Sequence, residues 1–597
     1  MKNIENYMVL TEASYTDFFR LNPLTRDIEN AIKNEGDDNG KTKSGIAKYI
    51  ADRYNVIDHC TDENHPASTD RPYSKSDFGF SATLFQDKTT KEYVFAIKGS
   101  KGTYDLAIAD AGDIANDGLA HHQIVDMYNF WQSIVQDEFR PAEIKTDYLL
   151  TAVYNDPSNF LNGKIKSFSQ YLLDNRLDGK GYFLDSGTVK QIVFSEKTFK
   201  GRGLKEVAEQ KVTVTGHSLG GHLSAAFSRL FPDATKHAYM ANGAGFGSGT
   251  NLAGYVGLTD NQKNIQTVFS LLGGADKFDP AKITNIIGDK SMNFIAQNWK
   301  IGLQQPGKTT ELFIEDNAII AQAWGHRMPQ MSDSMMAASL FFALDKSLQE
   351  KSLADALDFV NPLFQSAEND EENTLEATVH MLDKLVNGSK AVEIAKGDRN
   401  TLYGRMAKLK LQISKLGDGF SVSRLSDVPD LAAKAAADTP EGLAYRYALR
   451  ELNPFAIVGF DYGSHNQNGA LDLYSAANPN GMSAEYIRDR AQMLHWNSYY
   501  AQENKPYGSQ VSSWSFRDDF IYQDLNRNIT LDLDGFNPAS TQTGHILFGS
   551  EARQNTLTGS SIGDSLYGGV KNDVLDGKGG ADYMEGGAGF DTYYIDG

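Results

Sequence analysis

Cysteine is almost absent from this chain of 597 residues, in which Cys60 stands alone. An intrachain disulfide is therefore excluded, and with it the class of small extracellular domains that disulfides hold together. The segment Met1–Tyr7 lacks the apolar core of a secretory signal peptide. No uninterrupted apolar run approaches the roughly 20 residues that span a bilayer. By themselves, these absences predict a cytoplasmic protein.

Basic residues are fewer than acidic residues. Lys and Arg number 57 against 77 Asp and Glu, which gives a net charge of -20 and an isoelectric point near 5.1. Because phosphates are neutralised by Lys and Arg, this balance disfavours nucleic acid as a partner. It is compatible with calcium, which prefers carboxylate oxygens. The alternative is that the acidity only keeps the chain soluble.

The length predicts two or three domains, since a single core rarely exceeds about 250–300 residues. Hydrophobic residues make up 41% of the chain, with 32 Phe and 28 Tyr, which is enough for packed interiors. Residues 1–345 alternate short β-rich runs with helical ones, and this alternation predicts an α/β sheet. The strands predicted are Tyr93–Ile97, Val212–Thr215 and Ile283–Ile287.

Residues 346–545 are predicted to connect the α/β domain to the C-terminal region. Up to about residue 450 the pattern is helical, with Leu375, Val379, Leu382 and Val386 at helical spacing and Asn387-Gly388 as a stop. This helix is either a lid over an active site or a packed structural helix. Residues 451–545 are rich in Asn, Gly, Tyr and Asp, and we predict irregular structure with some strands there.

The C-terminal segment, residues 546–597, repeats every nine residues. A six-residue turn with glycine at positive φ can present carbonyl groups and one Asp carboxylate to a cation, and the next three residues make a short strand with an inward apolar side chain. Stacked turns of this kind form a parallel β-roll with calcium between them. The recurring residues are Asp564, Asp573, Asp582 and Asp591, then Leu566, Leu575, Met584 and Tyr593, with a weaker copy at Asn555 and Leu557.

These copies resemble the nonapeptide repeats of RTX proteins. The resemblance implies Ca²⁺ as cofactor and export by a type I secretion apparatus with an uncleaved C-terminal signal, which reverses the cytoplasmic prediction in favour of a secreted protein. Ile562 and Lys571 replace the third glycine of their turns, so we expect those turns to bind calcium poorly. The chain stops directly after the fourth copy, and we expect that the native protein extends beyond Gly597. The predicted calcium ligands are Asp564, Asp573, Asp582, Asp591, Gly568, Gly577 and Gly586.

The motif Gly216-His217-Ser218-Leu219-Gly220 has the G-x-S-x-G form of a nucleophile elbow. A predicted strand enters the motif and a helical pattern leaves it, with Leu223, Ala226, Phe227 and Leu230 on one face. This context places Ser218 in a strained turn with its Oγ exposed. The N-terminus of the helix then faces the developing oxyanion, with the Leu219 amide as one donor.

With Gly221 added, the motif resembles the elbow of class 3 lipases. A second signature of that family, Arg-Gly-Thr after a buried strand, corresponds here to Lys98-Gly99-Ser100. The stretch that follows, 106–117, resembles calcium-dependent lipases exported by type I secretion. The resemblance covers residues 90–345 and the repeats. It implies an α/β-hydrolase fold, and it assigns Ser100 as the second oxyanion donor.

An Asp and then a His must complete the triad in chain order. Asp289 directly follows the strand Ile283–Ile287, as the matching Asp does in the resembling family. Asp276 and Asp279 are the rivals, since they follow a second candidate strand, Thr267–Leu272.

The candidate general base is His326, which lies on a loop that opens a helical run. A histidine there can take the proton of Ser218 and return it to the leaving alcohol. His217 and His222 lie too near the elbow to face the serine oxygen, and His121 and His122 precede Ser218 and break the order.

Three acidic residues, Asp110, Asp113 and Asp117, lie within eight positions of one another, close to the strand that precedes Ser100. By resemblance to the calcium-dependent lipases, Asp113 and Asp117 are candidates for a lid calcium. The alternative is a solvated acidic helix face.

Together these features predict a secreted, monomeric serine hydrolase of carboxylic esters, acting on lipids as a triacylglycerol lipase or a phospholipase A1. One alternative is an RTX adhesin or toxin whose α/β domain is a non-catalytic lipid-binding module. Another is a peptidase or thioesterase built on the same elbow.

Overall fold

The computed structural model of the chain describes residues 3–18, 27–34, 44–61, 73–76, 78–99, 118–161, 168–185, 187–247, 259–289, 303–315, 328–367, 373–501, 519–533 and 542–596. In these ranges, no helix is long and apolar enough to cross a membrane. The chain forms two compact units. Unit 1 comprises Met1–Ser339, Ser352–Leu357 and Asp398–Ala407, and unit 2 comprises Leu340–Lys351, Asp358–Gly397 and Lys408–Gly597. The domain boundaries predicted at residues 345 and 545 stay predictions.

The described strands and helices are numbered in chain order. The strands are β1 (Tyr54–Cys60), β2 (Ala82–Asp87), β3 (Tyr93–Ile97), β4 (Glu138–Phe139), β5 (Ala142–Thr146), β6 (Tyr182–Asp185), β7 (Thr188–Phe194), β8 (Phe199–Lys200), β9 (Val212–His217), β10 (Thr235–Ala241), β11 (Phe246–Gly247), β12 (Ile283–Gly288), β13 (Leu303–Gln304), β14 (Lys308–Leu312), β15 (Ser421–Arg424), β16 (Phe455–Val458), β17 (Phe520–Asp524), β18 (Ile529–Asp532), β19 (Gly544–Phe548), β20 (Thr556–Thr558), β21 (Ser565–Gly569), β22 (Val574–Asp576), β23 (Tyr583–Gly587) and β24 (Thr592–Tyr594). The helices are α1 (Ile4–Ala13), α2 (Ile28–Asn34), α3 (Ser44–Arg53), α4 (His121–Val135), α5 (Tyr148–Tyr154), α6 (Pro157–Leu161), α7 (Phe168–Asp174), α8 (Lys205–Glu209), α9 (Leu219–Leu230), α10 (Thr259–Leu271), α11 (Met328–Leu344), α12 (Lys346–Glu350), α13 (Leu353–Gln365), α14 (Thr374–Asn387), α15 (Arg399–Leu416), α16 (Leu431–Ala435), α17 (Pro440–Glu451) and α18 (Ala484–Ala501).

Unit 1 is built on a seven-stranded mixed sheet in the order β1-β2-β3-β9-β10-β12-β14. The first three strands pair antiparallel, and from β3 to β14 the pairing is parallel. The three strands predicted from the sequence are confirmed as β3, β9 and β12, and they are fully or almost fully buried because both faces of the sheet are covered. The α/β class of this part of the chain is therefore confirmed.

The larger core of unit 1 lies between the sheet and helices α4 and α9. Its centre is aromatic: the ring of Phe227 lies 5.1 Å from that of Phe95 and 4.8 Å from that of Trp131. Helix α1 packs against strands β3 and β9. Between α4 and β9 the chain adds a small subdomain with the antiparallel sheet β5-β7-β6. This subdomain has its own core of Phe168, Tyr171, Leu172 and Val189.

Unit 2 contains the predicted helix 374–387, which is confirmed as α14 and ends at Gly388 with a φ of 57°. The prediction of irregular structure for residues 451–545 missed α18, an 18-residue helix. Its buried positions include Asp489 and Arg490, which are polar, so hydropathy alone does not reveal the helical period.

The C-terminal repeats of unit 2 form two facing sets of parallel strands. Strands β19, β21 and β23 pair in one sheet, and β20, β22 and β24 pair in the other. Leu557, Leu566 and Leu575 are buried between them, whereas Tyr593 in the last turn is exposed. The strands fit the predicted β-roll.

Helix α18 covers one sheet of the roll through aromatic and charged contacts. The Tyr486 ring packs edge-on against Tyr567 at 5.2 Å, and the Tyr567 hydroxyl donates to Asp489 Oδ2 at 2.8 Å. One repeat pair further on, Ser483 Oγ donates to Glu585 Oε2 at 2.6 Å. These side chains fix which sheet of the roll packs against the helix.

Candidate active site and calcium-binding repeats

Ser218 occupies a strained turn between β9 and α9. Its φ is 57° and its ψ is -119°, a region that non-glycine residues rarely adopt and that costs on the order of 1–3 kcal/mol. Such strain persists only where the surroundings enforce it, and it concentrates at functional sites. The side chain is half-buried and does not cap the helix that follows.

Glycines make this turn possible by allowing close backbone contacts. A Cβ atom at Gly216 would lie 2.1 Å from the Gly220 oxygen, and one at Gly220 would lie 2.3 Å from the Ile97 oxygen. At Gly221 it would lie 2.6 Å from the Cα of Gly243. Each glycine of the motif is therefore required by packing, because these neighbours are backbone atoms that cannot rotate away.

The backbone of Ser218 is held by its neighbours. Its N–H donates to the Ala241 oxygen at 3.0 Å, and its carbonyl accepts from the N–H groups of Gly221, His222 and Ala244 at 3.0, 3.2 and 3.2 Å. The Leu219 amide belongs to the first turn of α9, whose N–H groups have no intrahelical acceptor. The positive end of the helix dipole lies at the same place, so this amide is suited to stabilise an oxyanion.

Asp289 follows the last residue of β12, at the edge of the sheet where Ser218 follows β9. The register pairs His217 with Ala241 and Ala241 with Ile286, so β9 and β12 lie two strand spacings apart, about 10 Å, and Asp289 lies three residues past Ile286. Asp289 N–H donates to the Leu312 oxygen at 2.9 Å. Its Oδ1 accepts from the Ile314 N–H at 3.0 Å.

The rival carboxylates occupy other surroundings. Residues 267–271, predicted as part of a strand, lie in helix α10, because a short apolar run does not distinguish the two elements. Asp279 caps a 3₁₀ turn at the amino end of β12, the edge opposite Ser218, and its Oδ1 accepts from Ala281 N–H at 3.1 Å. Asp276 accepts from the side chain of Gln266 at 3.3 Å.

Five predicted site residues lie outside the described residues. His326 falls in 316–327, and Ser100, Asp110, Asp113 and Asp117 fall in 100–117. The distances expected from His326 to Ser218 and to Asp289 stay predictions, as do the roles of Ser100 and of the lid calcium.

Two histidines near the elbow have structural roles. The Nε2 of His222 accepts from the Ala120 N–H at 3.3 Å, so its Nδ1, 3.0 Å from the Gly245 oxygen, carries the proton. Burial lowers the pKa of His222 to about 4 and the pKa of His121 to about 4. Both rings are neutral at physiological pH, and neither is placed as a base for Ser218.

Sequence reasoning missed Tyr15. Its hydroxyl lies 2.8 Å from Nδ1 of His217, the residue directly before Ser218. The two residues are 202 positions apart, and no local pattern signals the contact.

The repeats place glycine directly against aspartate in each turn. A Cβ atom at Gly559, Gly577 or Gly586 would lie 2.3–2.4 Å from an Oδ2 of the Asp five positions later, and at Gly568 the distance would be 2.8 Å. Two of these glycines also face a carbonyl oxygen 18 positions later, with Gly577 O at 2.6 Å from a Cβ at Gly559 and Gly586 O at 2.6 Å from a Cβ at Gly568. Each turn is thus a narrow cradle of carboxylate and carbonyl oxygens.

The carboxylates also link successive turns. Asp564 N–H donates to Asp582 Oδ1 at 3.0 Å, and Asp573 N–H donates to Asp591 Oδ1 at 2.8 Å. The Oδ2 of Asp573 is buried without a hydrogen-bond partner. Burial, together with the charge of Asp564, raises the pKa of Asp582. Buried carboxylate oxygens that lack donors are what a hard cation would satisfy.

The four turns differ in backbone conformation at the third glycine position, and the weaker calcium binding predicted for two of them stays a prediction. Gly580 and Gly589 adopt φ values of 114° and 137°, whereas Ile562 and Lys571 at the equivalent positions are not in the left-handed region. Across the described residues, no cluster of three or more His, Cys, Asp or Glu side chains is arranged to hold a metal. A cation in the repeats would therefore depend largely on backbone carbonyls.

Comparison with known proteins identifies the repeats. Residues 558–593 match the family model "RTX calcium-binding nonapeptide repeat (4 copies)", so the predicted RTX repeats are confirmed. No curated protein matches the chain in sequence. Among solved structures, the chain is similar to the Lip2 lipase of Yarrowia lipolytica, with 13% identity and a TM-score of 0.23 over 53% of this chain and 80% of that one. The nonglycosylated form of that lipase gives 14% identity and a TM-score of 0.23 over 52% and 78%.

Proposed function

We propose that this protein is a secreted serine carboxylic-ester hydrolase that acts on lipids, with a catalytic domain of the α/β-hydrolase kind. The observation that carries the proposal is the conformation of Ser218, at φ 57° and ψ -119°, in a turn that joins a central parallel strand to a helix. A strained serine at the carboxyl edge of such a sheet is the geometry of a nucleophile elbow.

In the proposed reaction, His326 takes the proton of Ser218 as Oγ attacks the ester carbonyl carbon. The resulting oxyanion is stabilised by the Leu219 amide and by Ser100. Collapse of this tetrahedral intermediate breaks the ester bond, and His326 gives its proton to the leaving alcohol. Water, deprotonated by His326, then attacks the acyl-serine, the bond between the acyl carbon and Ser218 Oγ breaks to release the fatty acid, and His326 returns the proton to Ser218 Oγ. Asp289 orients His326.

The position of Asp289 supports this assignment over its rivals. It shares the sheet edge of Ser218, and its strand β12 lies two strand spacings, about 10 Å, from β9, which is close enough for an imidazole to bridge the two strands at that edge. Asp279 lies at the other end of the same strand.

Lipid as the substrate class is supported by the resemblance to class 3 lipases and by an exposed apolar stripe on α5. Tyr148 and Leu149 are 80% and 82% exposed, and Val153, one turn further, is 44% exposed. Such a stripe suits a lipid–water interface, since contiguous exposed apolar surface marks interaction sites. Triacylglycerols and the sn-1 ester of phospholipids both fit the proposed triad.

Calcium is the proposed cofactor of the repeats. Asp564, Asp573, Asp582 and Asp591 would hold it together with the turn carbonyls, including those of Gly568, Gly577 and Gly586. Bound there, calcium neutralises carboxylates that repel one another. The RTX repeats also support export by a type I secretion apparatus to the outside of the cell. A monomeric protein and a lid calcium at Asp113 and Asp117 remain parts of the proposal.

The test is hydrolysis of phosphatidylcholine, triolein and short nitrophenyl esters, with calcium and with chelator. Ser218→Ala should lower kcat by about 10⁶. Its matched control, Ser228→Ala on the same helix, removes a hydroxyl that donates to the Ala225 oxygen at 2.7 Å and should retain activity. Residual activity above a few per cent in a pure Ser218→Ala sample would end the assignment.

Three further variants test the acid and the base of the triad. Asp289→Asn should lower kcat by about 10⁴, because it leaves the imidazole in the wrong tautomer, and His326→Ala should lower it nearly as much as Ser218→Ala. Asp279→Asn should leave kcat unchanged, and a large loss there would show that the wrong carboxylate was assigned. A wild-type protein that binds lipid vesicles but cleaves no ester would instead establish a non-catalytic lipid-binding module.

A further inference from the structure

Helix α1 and the nucleophile strand β9 are joined by a row of polar contacts between side chains. On the strand, Thr213, Thr215 and His217 alternate with apolar residues and therefore point to one face. On the helix, Tyr7 and Thr11 are four residues apart and so lie along one side, and Tyr15 lies in the turn that follows the end of the helix at Ala13.

The three contacts occur in matching order. Burial raises the pKa of the Tyr7 hydroxyl, and the nearby side chain of Thr213 lowers it. Thr11 Oγ1 lies 2.5 Å from Thr215 Oγ1, and it donates its own proton to the Tyr7 carbonyl at 2.7 Å, so Thr215 is the donor to Thr11.

The third contact joins the Tyr15 hydroxyl to His217 Nδ1 at 2.8 Å. We refer to the three contacts as the polar ladder.

The contacts of the ladder stay in register because the rise from one contact to the next is similar in the helix and in the strand. Four residues of helix rise about 6.0 Å, and two residues of strand rise about 6.6 Å. Thr11, Thr213 and Thr215 are almost completely buried. Unmade hydrogen bonds there would each cost about 1–3 kcal/mol, so the ladder strongly favours one register of helix against strand.

Tyr15, on the third rung, reaches the catalytic turn itself. A Cβ atom at Gly99 would lie 2.5 Å from the Tyr15 hydroxyl oxygen and 2.4 Å from the His217 carbonyl oxygen. The hydroxyl therefore packs where two strand ends meet. One is the end of β9, which leads to Ser218, and the other is the end of β3, which leads to the predicted oxyanion residue Ser100.

The backbone of Tyr15 is also held in place. Its N–H donates to the Glu12 carbonyl at 3.3 Å. The Glu12 carboxylate is bound by both terminal nitrogens of Arg399 at 3.0 and 3.1 Å. The hydroxyl and the backbone of Tyr15 are therefore both held in place.

We propose that Tyr15 is a positioning residue that sets the distance between the nucleophile turn and the end of β3, acting through His217 and Gly99. This inference rests on the proposed function, because the distance matters for the attack of Ser218 on a carbonyl held in an oxyanion hole. Misplacement of reacting groups by about 1 Å can lower a rate by about 100-fold.

The test compares Tyr15→Phe with Tyr7→Phe in the full chain with calcium. Each variant loses one hydroxyl from the same ladder, but only Tyr15 contacts the turn. The readout is the rate at which a nitrophenyl alkylphosphonate modifies Ser218, together with kcat and KM for a soluble ester. We expect Tyr15→Phe to slow modification and to lower kcat by 10- to 100-fold with little change in KM. Tyr7→Phe should react at the wild-type rate.

A second readout does not depend on activity. Amide hydrogen exchange of the peptide 212–223 should become faster in Tyr15→Phe and stay unchanged in Tyr7→Phe. If Tyr15→Phe reacts and exchanges like wild type, or if both variants are slowed equally, the positioning role is refuted. If wild type itself is not modified by the phosphonate, the proposed function fails, and the exchange of this peptide still decides whether Tyr15 fixes the turn.

Discussion

Arg399 offers a quantitative test of how unit 1 is held together. Its guanidinium makes four hydrogen bonds, at 2.7 and 2.6 Å to Asp333 and at 3.0 and 3.1 Å to Glu12. The Glu12 side chain is 1% exposed, and those of Arg399 and Asp333 are 12% exposed. Replacement by Met would leave two buried carboxylates without a cation, which destabilises by about 3–5 kcal/mol.

The expected shift in melting temperature follows from the size of the unit. Unit 1 has roughly 350 residues, so its entropy of unfolding is about 0.7 kcal/mol per kelvin. Arg399→Met should therefore lower Tm by about 4–7 °C. Arg399→Lys should fall between the variant and wild type, because it keeps the charge and loses the bidentate geometry.

The loss of stability caused by Arg399→Met should depend on pH. Burial raises the pKa of Asp333, and removal of the guanidinium raises it further. A carboxyl group with a raised pKa in the folded state supports folding below its ordinary pKa of 3.8 and loses that contribution as the pH rises through the raised value. The Tm deficit of Arg399→Met should therefore be smaller at pH 5 than at pH 8.

Calorimetry at pH 5, 6.5 and 8 would measure these shifts. The control is Lys408→Met, a change at an exposed position of the same helix, which should alter stability by less than about 0.5 kcal/mol. A Tm for Arg399→Met within 1 °C of wild type at pH 8, or a larger deficit at pH 5, would refute the reasoning.

Three further outcomes are expected. Gly220→Ala should abolish ester cleavage and lower Tm, because its Cβ would lie 2.3 Å from a backbone oxygen, whereas Gly404→Ala, with nothing within 4 Å, should be neutral or stabilising by calorimetry. Asp582→Asn, in a turn that keeps its third glycine, should weaken calcium binding measured by titration calorimetry, and Asp576→Asn, outside the turn and paired with a lysine, should not. With chelator present, the repeats should lose stability as the pH rises above about 4, because the pKa of Asp582 is raised in the fold, and calcium should reverse this trend in circular dichroism.

Features with a local signal could be predicted from the sequence. The pattern of apolar residues predicts the strand and the helix around Ser218. The glycines of the motif are needed because backbone atoms approach closely in this one turn. The repeats could be predicted because each turn supplies its own glycine and aspartate. The confirmed end of α14 at Gly388 has the same local cause.

Features that depend on distant pairs could not be predicted. Arg399 and Glu12 are 387 positions apart, and nothing in either neighbourhood indicates that they share a buried ion pair. The helix 399–416 looked like part of a connecting region, although its first turns belong to unit 1. A buried polar partner has no period, so hydropathy cannot reveal it.

Because the nonapeptide repeats form two sheets, a change in the number of repeats affects which sheet each later strand joins. Successive nonapeptides contribute their strands alternately to the two sheets. The hydrogen-bonded aspartates are therefore 18 positions apart. Loss of nine residues before Glu585 would turn it away from Ser483, which directly precedes α18, while loss of eighteen would keep Glu585 on the sheet that faces the helix. The structural unit of this array is therefore a pair of nonapeptides, and a change of two copies preserves which sheet each strand joins.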